Sequence, residues 1–137
     1  MTERVRAQQA EEALRLKLEK AVAEWELTFD AMEAPILILD ATGQVMRLNI
    51  AAKVAAGRPY SAILGQPLVD LGPRQPWLEA SEVAARSGEL RATVVSQVRD
   101  EDSGRLWSVA AHPLRGPRGE ERTSVIVREL ASGVKDA

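Results

Sequence analysis

The chain has 137 residues, a length that suits one domain, and its 45% hydrophobic content is enough to bury a core. A formal charge of −2 with no basic block leaves nucleic acid nothing to hold, and the absence of Cys excludes disulfides, thiolate nucleophiles and thiolate ligation of metal or haem. No apolar run approaches the roughly 20 residues of a spanning helix, and Met-Thr-Glu-Arg opens without a hydrophobic signal core, so the expectation is a cytoplasmic chain that makes no membrane contact of its own.

Residues 1–30 contain neither Pro nor Gly and are rich in Ala, Leu, Glu, Lys and Arg, which predicts one long helix. Leu14, Leu18, Ala21, Trp25 and then Thr28 or Phe29 recur at spacings of four and three, the period of a coiled-coil seam. Leu14, Leu18, Ala21 and Trp25 are therefore the expected dimerisation residues of an amphipathic helix; the alternative is a solvated helix packed on its own domain. Glu11, Arg15 and Glu19 are spaced for a charge ladder, as are Lys20 and Glu24 for a pair.

The pattern changes at Pro35. Pro35 to Asp40 is a short apolar run read as a strand, Asp40-Ala-Thr-Gly43 is a tight turn, and Gln44 to Leu48 returns as a second strand. Asn49 is a helix N-cap, Ile50 to Ala56 is helical, and Gly57 falls where a left-handed C′ residue belongs. Tyr60 to Leu64 and Leu68 to Leu71 read as single turns among the breakers Gly65, Pro67, Gly72 and Pro73. Pro76 at N1 begins a helix over Trp77 to Ser87, with Gly88 as its stop.

Three strands follow. Leu90, Ala92, Val94 and Val98 alternate with polar residues; Leu106 to Leu114 and Thr123 to Leu130 follow the polar turns at Asp100 to Gly104 and Arg115 to Gly119. The order is helix, two strands, short helices, three strands. It predicts an α+β domain over 31–131: a five-stranded antiparallel sheet covered by short helices, behind a long N-terminal helix at 1–30 and before a tail or linker at 132–137.

These residues resemble the PAS (Per-Arnt-Sim) domains, with a leading helix similar to the signalling helices that precede them. The likeness covers Trp25 to Leu130 and rests on five stretches in order: Phe29 to Ala34 before Pro35-Ile-Leu-Ile-Leu-Asp40; Asp40-Ala-Thr-Gly43 with Asn49-Ile-Ala-Ala; Ile63-Leu-Gly-Gln-Pro-Leu68; Trp107-Ser-Val-Ala-Ala-His-Pro-Leu114; and Val125-Ile-Val-Arg-Glu-Leu130. At the exit Glu129 stands where the family places Asp, and Ala131 where it places Thr. The resemblance implies a sensory domain that dimerises and relays a signal to an effector such as a histidine kinase, in a two-component system. Asp40, Gly43, Asn49, Arg128 and Glu129 are the implied structural and signalling residues.

The resemblance also implies a second possibility, a ligand- or flavin-binding sensor with a pocket between the sheet and the 77–87 helix. Its candidate lining is Ile38, Leu48, Leu64, Leu68, Trp77, Val94 and Trp107; filling of a core poor in aromatics is the simpler role for the two indoles. No cofactor is expected. His112, the one histidine, lies on a strand before Pro113 rather than on the long helix where the family holds haem. Ser108 shares a strand face with it, but no nucleophile elbow accompanies the pair, and no catalytic residue or metal ligand is assigned.

Overall fold

The computed structural model describes residues 3–72 and 75–131. The chain divides into two compact units, Met1–Met32 and Glu33–Ala137. The expected tail at 132–137 and the breaker Pro73 lie outside the described residues.

The first unit is one helix, α1 (Glu3–Ala31). Of the expected seam, Leu14, Leu18 and Trp25 are 57%, 58% and 46% exposed, and Ala21 is exposed as well. Leu16, Val22 and Leu27 add further exposed apolar surface. Trp25 stacks on Phe29 one turn later, with ring centroids 4.9 Å apart. Arg15 bonds Glu12 at 2.8 Å and lies 3.8 Å from Glu19. The ladder thus starts at Glu12 rather than Glu11, since residues three apart also share a helix face.

The second unit runs β1 (Ile36–Leu39), β2 (Val45–Leu48), α2 (Ile50–Ala56), α3 (Tyr60–Ile63), a 3-10 turn (Leu68–Leu71), α4 (Trp77–Leu90), β3 (Val94–Arg99), β4 (Leu106–Arg115) and β5 (Glu121–Ala131). The strands form one antiparallel sheet in the order β2-β1-β5-β4-β3, so the last strand lies at the centre. This is the expected α+β arrangement. Leu37 and Leu39 of β1, Val109 and Ala111 of β4, and Val125 and Val127 of β5 point to one face and are buried. Ala52, Ile63, Leu68, Leu71, Trp77, Ala80, Val83 and Ala84 cover them from the helices and the 3-10 turn. Alternation along each strand is what confines the core to this one face.

Three local expectations are corrected. Gly88 does not stop α4: the helix continues to Leu90 and ends at Arg91, which takes the left-handed conformation (φ 54°) and donates its N–H to Ser87 O. One interior Gly costs a helix only about 1 kcal/mol, far less than burial of Trp77, Ala80, Val83, Ala84 and Ser87 along one face of α4 returns. Leu90 and Ala92 consequently belong to the helix and the turn, and β3 begins at Val94. Pro76 sits one position earlier than expected, as the residue preceding the helix, and Trp77 is the first helical residue.

Candidate sensory and relay site

The node between hairpin and helix is Asn49. It is fully buried, and its backbone carries β2 into α2. Its Oδ1 accepts from Ala52 N at 3.0 Å, capping α2, and from Ile36 N at 3.0 Å; its Nδ2 donates to Ala34 O at 2.9 Å. One amide thus closes a helix end and pins the entry of β1, satisfying backbone groups that have no ladder partner.

Asp40 builds the hairpin turn. Its Oδ1 accepts from Thr42 N (2.9 Å), Thr42 Oγ1 (2.7 Å) and Gln44 N (3.0 Å), and Gly43 supplies the positive φ of 85° that the turn requires. Partial burial opposes the charge on Asp40, but the donors from Thr42, Gln44 and Gly43 outweigh it and hold the carboxyl below its ordinary value of 3.8. Asp100 makes the equivalent device between β3 and β4, accepting from Ser103 Oγ at 2.6 Å and Ser103 N at 3.2 Å.

Five of the seven pocket candidates meet in the core. Leu48, Leu68 and Trp77 belong to it, and Val94 and Trp107 pack against it. Leu64 is 44% exposed, and Ile38 alternates with the buried Leu37 and Leu39 and so faces the other side of the sheet. Around Trp77 space is filled: the indole is 5% exposed, and a Cβ built on Gly72 would meet its Cδ1 at 3.2 Å.

Open volume lies at the other end of α4. A cleft of about 420 Å³ is bounded by the Asp40–Gly43 turn, by Ala84, Ala85, Gly88 and Glu89 of α4, and by Thr123 of β5. Of the residues singled out in the sequence, Asp40, Gly43 and Leu68 line it. Gly88, Glu89, Arg91 and Thr123 were not candidates. A glycine near a helix end reads as a stop, and only the completed sheet brings β5 under α4.

At the exit, Arg128 and Glu129 are exposed near the end of β5, with Glu129 3.8 Å from Arg105 across the hairpin. His112 lies on the sheet face opposite the buried Val109 and Ala111, with Nδ1 3.0 Å from Thr93 Oγ1. Among the described residues no group of three or more acidic or histidine side chains is arranged to hold a metal ion, and no helix is long and apolar enough to cross a membrane.

A family model described as the PAS fold matches residues 29–132. The chain belongs to the PAS family. No curated protein matches it at the level of sequence. Among solved structures it is similar to the PAS domain of an HTR-like protein from Haloarcula marismortui, with 17% identity, a TM-score of 0.64, and 87% of this chain and 99% of that one covered. It is also similar to the PAS domain of nitrogen regulation protein NR(II) from Vibrio parahaemolyticus (18% identity, TM-score 0.57, 77% and 96% covered). A third is a sensory box sensor histidine kinase from Vibrio cholerae (12% identity, TM-score 0.55, 91% and 98% covered). At these identities the likeness is one of fold. The PAS match takes in the hairpin, the Asn49 node, α4 and all three C-terminal strands.

Proposed function

We propose that this PAS domain is a non-catalytic sensory and relay module. It pairs with a second copy through α1 and passes its state along β5 to an effector such as the kinase of a two-component system. The observation that carries the reading is the exposed apolar seam of Leu14, Leu18 and Trp25 on a helix that leads into the PAS domain. Apolar side chains at this spacing have a use when a second helix covers them and are a liability when none does. The proteins with related folds support the kinase context, since one is itself a sensor histidine kinase. Arg128 and Glu129, exposed near the end of β5, support an exit for the relay along that strand.

Light scattering tests the pairing. Wild-type chain is expected to be dimeric at micromolar concentration, and Leu14→Glu with Leu18→Glu monomeric with an unchanged sheet signature in circular dichroism. A double variant that stays as dimeric as wild type would sink the reading.

A further inference from the structure

The sheet has a second face, and it is not the polar one that a solvated side calls for. An antiparallel sheet with one side in water alternates apolar and polar residues along its strands. Here Ile36 stands opposite Ile126, Ile126 opposite Ala110, and Ala110 opposite Val95, so one apolar row crosses four strands on the side away from the core. Ile38 flanks that row, and Val95 is 62% exposed. β1 is apolar on both sides, the pattern of a strand that is covered on both. The helices of the sheet domain and its 3-10 turn all pack on the core side.

The charges on this outer face have one sign. Arg47 pairs with Ile38, Arg99 with Leu106, Arg122 with Leu114 and Arg128 with Ser108, and no Asp or Glu occupies a position paired on this face among the described residues. Arg122 is already held by Glu120 at 2.9 Å, and Arg128 is exposed. A second sheet laid on this one would set arginine against arginine. The face fits instead a helix that carries acids beside an apolar stripe. α1 has such a stripe. At about 100° per residue, Leu16, Ala23 and Leu27 lie on the side opposite Leu14, Leu18, Ala21 and Trp25. Leu16 and Leu27 are 55% and 73% exposed. Glu12, Glu19, Glu26 and Asp30 run along one border of the stripe, and over residues 19–30 four carboxylates stand against Lys20 alone. We infer that the outer face of the sheet is a docking surface for α1 of a second copy, with Leu16 and Leu27 on the apolar row and the acidic border toward Arg99 and Arg128. The inference goes beyond the proposed seam, which uses the other side of α1, and needs only that a second copy is present.

The test exploits the absence of Cys from the chain. Full-length Leu27→Cys and a differently tagged full-length Val95→Cys are mixed and treated with a short bismaleimide. A linked band of mixed size is expected. Leu27→Cys mixed with Leu78→Cys, exposed on α4, should give none. Arg99→Glu with Arg128→Glu should lower the Val95 link about fivefold, the size of two exposed charge contacts. Glu26→Lys with Asp30→Lys on the helix partner should restore it. All four charged positions are exposed, so circular dichroism should show the fold unchanged. No mixed link, an equal yield with Leu78→Cys, or a link indifferent to the charge reversals would overturn the inference. A link between two Val95→Cys copies in its place would assign the face to a second sheet. A link formed only within a chain carrying both cysteines would assign it to that chain's own helix. Either result overturns the second-copy assignment. The two interfaces fail separately: a mixed link that survives Leu14→Glu with Leu18→Glu keeps the docking without the seam, whereas a dimeric wild type without the link keeps the seam and removes the docking.

Discussion

At the scale of single residues, Asn49 does more than its position between a strand and a helix suggests. As an N-cap alone it would contribute about 1 kcal/mol. It also satisfies Ile36 N–H and Ala34 C=O from a fully buried position, so Asn49→Ala should leave unpaired polar groups behind. The expected loss is about 2–4 kcal/mol in chemical denaturation, and a loss near 1 kcal/mol would mean water replaces the β1 bonds. Asp40 makes a pH-dependent contribution. Its folded pKa is depressed, so its stabilisation is fully present above the ordinary Asp range and is lost as pH falls through the folded value. Asp40→Asn keeps the acceptor that builds the turn but removes the charge. Wild type should exceed this variant in urea midpoint at neutral pH, with the gap closing in acid; a gap that widens in acid would contradict the assignment.

At the scale of elements, two glycines predict opposite results from one chemical change. Gly57 ends α2 in the left-handed region (φ 68°), donating to Lys53 O and Val54 O. Gly57→Ala should therefore destabilise by about 1 kcal/mol. Gly88 lies in ordinary helical backbone with open space beside it, so Gly88→Ala should stabilise by up to about 1 kcal/mol. Melting temperatures of the two variants should move in opposite directions. A fall for both would show that the interior of α4 is tighter at Gly88 than its surroundings indicate. Residue chemistry made α2 legible to its last residue: an Asn before it, a Gly after it and Pro59 beyond. The end of α4 was not legible, because its cap is Arg91, a residue type that rarely announces a left-handed turn.

At the scale of the molecule, α1 carries its apolar residues outward, so its order should depend on what covers them. Most helical stability in proteins comes from packing of an apolar face rather than from propensity alone. Helical ellipticity at 222 nm should fall on dilution as the proposed pair separates, while the sheet domain, with its own core, keeps its near-ultraviolet signal. Ellipticity independent of concentration would mean that α1 is stable unpaired or that the pair never separates.

What the sequence by itself determined was everything set within a few residues. The hairpin follows from Asp40 and Gly43, whose side chain and backbone complete the turn locally. The burial of alternate residues in β1 and β4 follows from the period of the strand, and the PAS resemblance followed from such local pieces in their order. Only the tertiary structure decided where β5 goes. It pairs with β1 on one side and β4 on the other, Ile36 opposite Ile126 and Ala110 opposite Ile126, through partners remote in sequence. No local spacing encodes that placement; burial of Val125 and Val127 beneath the helices selects it. The same holds for open volume. The sequence favoured core filling for the two tryptophans over a pocket wall, and Trp77 is buried in the core; the cleft lies where Gly88, the Asp40 turn and Thr123 converge from three separate parts of the chain.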